Sequence, residues 1–573
     1  MTERVLLERD VPCTLPDGTV LMSDVIRPND SERYPVLLQR TPYDKTFFPF
    51  SWMLADPTKL AQFGYTVVIQ DVRGRFQSQG DYLPHANEAQ DGFDAIAWAA
   101  EQPWSDGNVG MFGASYMGAA QWLAARTRPA ALRTIVPATS AGDISDQQVR
   151  RGGAIQTGLI LSWGLAAVPH ELIRLHGISP ELFQELPAAV DDIDDLDRWM
   201  RHLPLLPFPP MERAPSLGAW LAEILREDRS EFHDQVSTAG SHAPVTVPAL
   251  EIAGWYDLLL QPELDHFMEM KSSCEDDDAR RLTRIVVGPW AHASFAGFQG
   301  ELDFGFRASS ILLDLREDMT ALHRRWFDAR LKGIPNGIDD EAPVKLFVMG
   351  RNRWRDEDRW PLTRAKTERW HLHGDGSLSQ RSPERSEPSV FTLDPEDPVP
   401  THGGSLLMPG KYIRGPREQS PIEARPDVLT FTSEPLNAEL EVTGRVRFSA
   451  WVATETVDSD VVARICDVWP DGRSYNVVDG IQRLRFRDGL YDPKPMTPGE
   501  PVEVSVDLWS TSHVFGAGHR LRLQVCASDF PRYDRCPGSG ESSTVAKRVL
   551  PQRNTLFHDS ERPSFVELPV VPS

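Results

Sequence analysis

Long apolar runs, paired cysteines and an excess of basic residues are all missing from this 573-residue sequence. No window approaches the roughly 18 consecutive apolar residues of a transmembrane helix, so we expect no membrane partner. The five cysteines are scattered without a C-x-x-C pair, which favours free thiols in a cytoplasmic protein over a zinc site or disulfide framework. The formal net charge of -23 argues against a nucleic-acid partner, because phosphate contacts need clustered Lys and Arg.

Targeting and cofactor motifs are missing as well. The start, "MTERVLLERDVPCTLPDG", has no basic segment followed by an apolar core, so it does not have the pattern of a signal peptide. There is no H-E-x-x-H, "CEDDDARR" lacks the glycine and spacing of a calcium loop, and "GRFQSQG" lacks the Lys-Ser/Thr pair of a P-loop. We therefore expect neither a metal nor a cofactor.

The first part of the chain alternates apolar strand patterns with helical ones. Strands are predicted at 34–40, 65–74, 107–115 and 132–139, and helices at 52–64, 87–102 and 117–129. Continuous apolar strands that alternate with helices predict an α/β fold with a parallel sheet covered on both faces.

The rest of the chain changes character twice. A Pro-rich helical stretch fills about 145–240, and strands resume at 248–257 and 283–292, followed by a helix at about 308–332. Beyond about 345, short alternating strands separated by Gly, Pro and Asp indicate an all-β sandwich or jelly roll, with a long connection at 376–400. We therefore expect an α/β domain in two parts (1–144 and 241–345), a helical cap insertion (145–240) and a jelly-roll domain (346–573).

The segment "NVGMFGASYMGAA" places a serine between glycines where a strand should turn into a helix. A nucleophile elbow has this context, because it exposes the serine Oγ and aims backbone N–H groups at a developing oxyanion. The usual spacing is G-x-S-x-G, but here the second glycine, Gly118, is one position late. The context predicts that Ser115 is a nucleophile, whereas the spacing alone would also fit a serine in a tight turn.

A serine nucleophile needs a base and an acid that orients the base. In the α/β-hydrolase layout they follow in the order Ser, Asp or Glu, His, each after a strand. The strands "ALEIAGWYD" and "RIVVGPWAH" end on Asp257 and His292. Either residue alone could be an ordinary loop residue, but the pair has the required order and position.

These motifs resemble those of the bacterial cocaine esterase-like group of CocE/NonD serine hydrolases, within the X-Pro dipeptidyl-peptidase-like (S15) family. The resemblance rests on "WSDGNVGMFGASYMG", "AGWYD", "VVGPWAH", "RTPYDK" and "VIQDVRG", and on the C-terminal "DVWPDGR", "VFGAGHRLRLQV" and "SDFPRYDR". It covers essentially the whole chain. The family's own elbow is G-x-S-Y-x-G, so the late glycine favours a nucleophile.

The resemblance implies a function and roles for individual residues. The expected enzyme is a carboxylic ester hydrolase in which Ser115 attacks, His292 is the base and Asp257 orients it. The oxyanion hole is expected from the Tyr43 hydroxyl and the backbone N–H of Tyr116. The implied fold is an α/β-hydrolase domain with an inserted helical cap and a C-terminal jelly roll. The residues expected to line the acyl pocket are Trp163, Leu259, Leu407 and Met408.

Other functions are left open at this point. "LLLQP" follows the "WYD" motif where a bulky aromatic is expected, which disfavours aromatic acyl groups. An X-Pro dipeptidyl-peptidase, or a hydrolase of α-amino acid esters or amides, needs carboxylates that hold the substrate ammonium. No acidic residue stands beside the elbow, and Met117 occupies the position where an α-amino ester hydrolase is expected to carry a glutamate. An acyltransferase would use the same triad, and a sugar-binding module with a relic serine would need no triad. We expect a small-molecule ester as substrate and consider a homodimer as the assembly.

Overall fold

The computed structural model describes residues 5–572, and a ten-stranded mixed sheet forms the centre of its N-terminal part. The strands up to residue 357 are β1 (Val5–Thr14), β2 (Val20–Pro28), β3 (Tyr34–Thr41), β4 (Thr66–Asp71), β5 (Ser105–Ala114), β6 (Leu132–Ala138), β7 (Arg150–Arg151), β8 (Ala154–Ile155), β9 (Leu250–Tyr256), β10 (Arg284–Ala291), β11 (Phe298–Gln299), β12 (Leu302–Asp303), β13 (Val344–Val348) and β14 (Arg353–Glu357). The order in the large sheet is β1-β2-β4-β3-β5-β6-β9-β10-β13-β14. The strands from β4 to β13 in this order pair parallel, and the outer pairs β1–β2, β2–β4 and β13–β14 are antiparallel.

Helices cover both faces of this sheet. The α-helices of residues 5–572, including those of the cap and of the C-terminal part, are in chain order α1 (Phe48–Ser51), α2 (Pro57–Gln62), α3 (Glu88–Glu101), α4 (Tyr116–Ala125), α5 (Thr157–His176), α6 (Pro180–Asp194), α7 (Leu196–Met200), α8 (Pro209–Glu212), α9 (Pro215–Ile224), α10 (Glu231–Val236), α11 (Leu260–Ser272), α12 (Asp277–Leu282), α13 (Met319–Leu331) and α14 (Ser420–Glu423). Because side chains alternate along a strand, Leu37 packs under α2 and α13, while Val36 and Leu38 pack under α3, α4 and α11. Burial on both faces explains the continuous apolar strands.

The helices α5–α10 lie between β6 and β9 and share one apolar core. That core includes Leu161, Leu172, Met211 and Trp220, and it extends to Leu259 beside the end of β9. A π-helical turn (Ile144–Val149) and the hairpin of β7 and β8 lead into these helices. The cap therefore stands directly over the carboxyl ends of the central strands.

The β7–β8 hairpin enters the C-terminal part of the chain. The Arg151 guanidinium pairs with Asp479 at 3.3 Å, donates to the Leu508 carbonyl at 3.2 Å and stacks over the Trp509 ring at 3.9 Å. The Arg483 N–H donates to the Gly152 carbonyl at 2.8 Å. This hairpin thus ties the cap to the C-terminal strands through buried polar contacts.

The C-terminal part is a β-sandwich. Its strands are β15 (Lys366–Leu372), β16 (Leu378–Ser379), β17 (Ser389–Leu393), β18 (Leu429–Thr432), β19 (Leu440–Thr454), β20 (Asp460–Val468), β21 (Ser474–Arg483), β22 (Val502–Phe515), β23 (Arg520–Cys526), β24 (Gln552–Phe557) and β25 (Phe565–Val571). A seven-stranded sheet and a four-stranded sheet enclose one apolar core, which includes Phe448, Val506 and Leu523.

The expected fold class, an α/β-hydrolase with a cap and a jelly roll, is confirmed, and several local predictions need correction. The helix predicted at 308–332 is α13 alone, and the one predicted at 52–64 is α2 alone. The stretch 376–400 contains β16 and β17, and the helical insertion contains the short β7–β8 hairpin. The three boundaries between the four predicted segments stay a prediction.

Two further expectations, on the cysteines and on membrane-spanning helices, can be compared with the structure. All five cysteines are buried free thiols. Among the helices of residues 5–572, none is both long and apolar enough to cross a bilayer.

Candidate active site

Ser115 stands in a sharp turn between β5 and α4. Its φ of 61° and ψ of -121° are strained for a residue with a side chain, which is the backbone condition of a nucleophile elbow. Gly113, two residues earlier, has a φ of 135°, and a Cβ there would lie 2.7 Å from Met117 Cβ. The glycine before the serine is therefore required for the tight turn.

Close packing explains why residue 118, the late glycine of the elbow, has no side chain. A Cβ at Gly118 would lie 2.7 Å from Ser140 Cβ and 3.1 Å from the Ala138 carbonyl oxygen. Gly118 lies in the first turn of α4, and Ala138 and Ser140 belong to the end of β6 and the turn after it. The glycine lets the helix N-terminus approach the neighbouring strand.

Ser115, His292 and Asp257 form one hydrogen-bonded chain. His292 Nε2 lies 3.0 Å from Ser115 Oγ, and His292 Nδ1 lies 3.0 Å from each Asp257 oxygen. The backbone N–H of Leu259 donates to Asp257 Oδ1 at 2.7 Å. His292 and Asp257 are buried, and Ser115 is partly exposed. Residues from three strand ends thus meet at one edge of the sheet, as their order predicted.

The Tyr43 hydroxyl faces the nucleophile. It accepts a hydrogen bond from Trp163 Nε1 at 3.2 Å and interacts with the Ser115 side chain. Burial raises the pKa of Tyr43 above its usual value, so the phenol keeps its proton at neutral pH. Because Trp163 supplies a proton to the phenol oxygen, the Tyr43 proton is available to another acceptor.

Tyr116 is the first residue of α4, so its backbone N–H is one of the helix's free N-terminal donors. Its side chain points into a buried network. The Tyr116 hydroxyl donates to Glu88 Oε1 at 3.0 Å and accepts from the His85 backbone N–H at 3.0 Å. The His85 ring stacks on the Tyr116 ring at 3.9 Å, and Glu88 also pairs with the buried Arg40. These contacts fix the position of Tyr116, whose backbone N–H is the expected oxyanion donor.

The four expected pocket residues are placed as follows. Trp163 and Leu407 pack against the cap core, and Leu259 lies within it. Met408 packs on Gly158 at the start of α5. Three of these side chains therefore share the cap core against which Tyr43 also packs, and Met408 lies against the first turn of α5.

Sequence reasoning missed two buried ionisable groups close to the site. Arg75 donates from Nε to the Pro42 carbonyl at 3.0 Å, next to Tyr43, and it packs against the rings of Phe76 and Tyr82. Glu263 Oε2 accepts from Ser140 N at 2.6 Å and from Ser140 Oγ at 2.5 Å.

Burial raises the pKa of Glu263 to about 8, so this carboxyl is mostly protonated at neutral pH. No local motif marks Arg75 or Glu263, since their partners lie far away in the chain.

The arrangement has the parts of a nucleophilic acyl-transfer site. A hydroxyl is hydrogen-bonded to an imidazole, the imidazole is oriented by a carboxylate, and a phenol and a helix N-terminus flank the hydroxyl. An apolar surface adjoins them. Such a set can attack a carbonyl carbon and stabilise the charge that develops on its oxygen.

Comparisons with known proteins cover nearly the whole chain. Residues 17–294 match the X-Pro dipeptidyl-peptidase (S15 family), and residues 336–567 match the X-Pro dipeptidyl-peptidase C-terminal non-catalytic domain. The chain is 34% identical to the cocaine esterase of Rhodococcus sp. (strain MB1 Bresler), with 97% of each chain covered.

Two solved structures share the fold. An aminopeptidase from a marine sediment Thaumarchaeota archaeon has a TM-score of 0.80 at 23% identity, and an α-amino acid ester hydrolase has a TM-score of 0.77 at 23% identity. Each alignment covers 99% of this chain and 97% of the other.

Proposed function

Because this chain belongs to the X-Pro dipeptidyl-peptidase (S15) family, we propose that it hydrolyses small carboxylic esters through Ser115, His292 and Asp257. The observation that carries the proposal is the continuous hydrogen-bonded chain from Ser115 Oγ through His292 to Asp257. The 34% identity to cocaine esterase over 97% of the chain supports ester substrates.

The reaction proceeds through a covalent acyl-enzyme. His292 Nε2 takes the proton from Ser115 Oγ as the oxygen attacks the ester carbonyl. The Tyr43 hydroxyl and the Tyr116 N–H donate to the resulting oxyanion, and His292 returns the proton to the leaving alcohol. A water molecule, activated by His292 in the same way, then releases the carboxylic acid and restores Ser115.

The orientation of His292 is set before substrate arrives. Its Nδ1–H donates to Asp257, and the Leu259 N–H holds the Asp257 carboxylate in place. The imidazole therefore presents an unprotonated Nε2 to Ser115. The apolar side chains of Trp163, Leu259 and Leu407 receive the acyl group beside this centre.

Two other reactions remain as competing proposals. Peptidase or α-amino ester activity requires a carboxylate to hold the substrate ammonium, whereas the buried Met117 follows Tyr116 and the adjoining surface is apolar. Acyl transfer to an alcohol would use the same residues, and added alcohol would then raise product formation. That the reaction needs no metal or cofactor, and that the chain forms a homodimer, stay predictions.

The first test is Ser115→Ala, assayed with phenyl acetate, 4-nitrophenyl butyrate, a benzoate ester and an X-Pro anilide. We expect ester hydrolysis to fall by roughly 10⁴-fold or more, because the nucleophile and its base act as a unit. Ser272→Ala, at an exposed serine of α11, is the matched control and should keep the wild-type rate. Retention of ester hydrolysis by Ser115→Ala would overturn the proposal, and turnover of the anilide alone would replace it with the peptidase reaction.

A further inference from the structure

A buried arginine contacts the backbone next to Tyr43 and has no acidic partner. Arg75 lies in the turn after β4 and is only 5% exposed. Its guanidinium forms no ion pair with a carboxylate of residues 5–572, and Nη1 has no hydrogen-bond partner there. Burial lowers the pKa of the guanidinium, but arginine stays protonated at neutral pH. A buried charge without an ionic partner lowers the stability of a fold, so stability alone does not explain Arg75.

Two rings and one carbonyl oxygen hold the Arg75 guanidinium. Its carbon Cζ lies 4.8 Å from the centre of the Tyr82 ring and 4.9 Å from that of the Phe76 ring. Arginine stacks well on aromatic faces because its guanidinium is planar and weakly hydrated. Nε donates to the Pro42 carbonyl oxygen at 3.0 Å, which is the one hydrogen bond that this side chain makes in the described part of the chain. The polar contact of Arg75 is therefore made to the residue that precedes Tyr43.

The turn that carries Arg75 is strained and is supported by the cap. Gly74 has a φ of 70°, and a Cβ there would lie 2.2 Å from the Tyr82 N. Phe76 has a φ of 48°, which is unfavourable for a residue with a side chain. Its backbone N–H donates to His170 Nε2 of α5 at 3.0 Å, and the two rings lie 4.1 Å apart. Burial lowers the pKa of His170 to about 4, so this ring is a neutral acceptor at neutral pH.

The turn of Tyr43 and the turn of Arg75 are tied together twice. Strands β3 and β4 are parallel neighbours, so both turns leave the same edge of the sheet. The Val72 N–H donates to the Thr41 carbonyl oxygen at 3.0 Å, and the Arg75 side chain donates to the next carbonyl along, that of Pro42. Because proline has no N–H, this carbonyl is its one backbone hydrogen-bonding group. Arg75 therefore fixes the peptide group that leads into Tyr43.

The placement of this peptide group matters because the Tyr43 hydroxyl lies at the far end of its side chain. A small rotation of the backbone moves the hydroxyl through a larger distance, and a displacement near 1 Å at a catalytic group can cost about 10²-fold in rate. At the far end, Trp163 Nε1 donates to the hydroxyl at 3.2 Å. Burial raises the pKa of Tyr43, and the Arg75 charge opposes part of that rise, which makes the phenol a stronger donor.

We propose that Arg75 is a positioning residue of the oxyanion hole: by holding the Pro42 carbonyl, it keeps the Tyr43 hydroxyl where the oxyanion forms. The proposal rests on the esterase function proposed above and on the role of Tyr43 in it. Arg75 acts through Tyr43 and does not itself contact the substrate. Because the oxyanion exists only after the attack, loss of Arg75 should lower kcat and leave KM nearly unchanged.

The first variant is Arg75→Met, which removes the donor and the charge and keeps an apolar chain between the two rings. With 4-nitrophenyl butyrate, kcat should fall about 10- to 100-fold, and KM should stay within about twofold. Arg75→Lys should recover part of kcat, because its amine can donate to the same carbonyl oxygen. Wild-type kcat in a folded Arg75→Met would overturn the proposal.

Arg150→Met is the matched control. Arg150 is also a buried arginine, and its guanidinium donates to the carbonyl oxygens of Ile224 and Leu225 in the cap, at 3.3 and 2.5 Å. It therefore resembles Arg75 in burial and in the kind of partner, but it does not contact the residues beside Tyr43. Its kcat should stay within about threefold of the wild-type value. An equal loss of kcat in both variants would refute a specific role for Arg75.

A double-mutant cycle with Tyr43→Phe is the decisive test. If Arg75 acts through the Tyr43 hydroxyl, Arg75→Met should lower the kcat of Tyr43→Phe by no more than about threefold, although it costs about 10- to 100-fold in the wild type. The same loss in both backgrounds would show that Arg75 does not act through Tyr43. If Arg75→Met does not fold, Arg75→Lys takes its place, and its smaller loss must likewise disappear in Tyr43→Phe.

A second readout separates this proposal from the esterase proposal. In inactivation by a fluorophosphonate, Ser115 Oγ forms a bond to phosphorus, fluoride leaves, and His292 takes the serine proton. Charge develops on the phosphoryl oxygen, so the oxyanion donors affect the rate whether or not esters are substrates. Non-additive losses of the inactivation rate in the same cycle support the role of Arg75 even where ester hydrolysis fails, and additive losses refute it.

Discussion

Replacing Gly118 by alanine forces a methyl group between helix α4 and the end of β6. The new Cβ would lie 2.7 Å from Ser140 Cβ, whereas ordinary contact begins at 3.4 Å. Relief requires a shift of about 0.7 Å, the difference between those two distances. The Ser140 backbone is held by Glu263, so we expect α4 to move, and with it the N–H of Tyr116.

The two effects of this change differ in size. Overpacking costs about 1–3 kcal/mol, and alanine in place of glycine inside a helix returns about 1 kcal/mol. The free energy of unfolding should thus fall by about 0–2 kcal/mol. A misplacement near 1 Å at a catalytic group can cost about 10²-fold in rate, so kcat/KM should fall about 10- to 100-fold.

The assay combines thermal unfolding with hydrolysis of 4-nitrophenyl butyrate. Gly218→Ala in α9 is the control, because its nearest neighbour is the Met211 carbonyl oxygen at 3.2 Å. It should stay within about twofold of the wild-type rate. Wild-type kcat/KM in a well-folded Gly118→Ala would refute the reasoning that this glycine sets the position of the elbow.

Two further predictions concern the oxyanion hole and a buried acid. Tyr43→Phe should lower kcat about 10²- to 10³-fold with little change in KM, because it removes one donor to the oxyanion. Steady-state kinetics on 4-nitrophenyl butyrate measures both constants. An unchanged kcat would show that the Tyr43 hydroxyl does not donate to the oxyanion. Burial raises the pKa of Glu263 from 4.5 to about 8. Between these pH values the folded protein holds a proton on Glu263 that the unfolded chain has released. The free energy of unfolding therefore falls as the pH rises from about 5 to 8. Glu263→Gln should make that fall less steep in urea unfolding at a series of pH values, and identical slopes for both proteins would contradict the shift.

The sequence predicted the central strands because each is a continuous apolar run. Strands β3, β6, β9 and β10 lie within about two residues of their predicted bounds, as expected for pattern reasoning on buried strands. The outer strand β1 was missed, because it alternates between exposed and partly buried residues and carries charged side chains. The segment before α13 was overpredicted as helix, since its apolar residues at 311–313 fit a helical pattern without forming a helix.

The residues of the site also divide into those that the sequence indicates and those that it does not. Ser115, Asp257 and His292 could be proposed from the sequence because each directly follows a strand of the sheet. The positions of Arg75 and Glu263 depend on contacts with the Pro42 carbonyl and with the Ser140 N–H, which come from distant parts of the chain. Nothing local in a sequence encodes such a contact. Tyr43 could be predicted as an oxyanion donor only from the resemblance to a known family.

The β7–β8 hairpin bears on how the chain acquires its structure during synthesis. Arg151 and its partner Asp479 are 328 residues apart. At about 5–20 residues per second, the arginine is added to the chain roughly 16–66 s before the aspartate. Throughout that interval a cation destined for burial has only water as its partner. The cap can therefore reach its final packing only late, and grafting the C-terminal sandwich of a relative onto this chain would succeed only if the hairpin were exchanged with it.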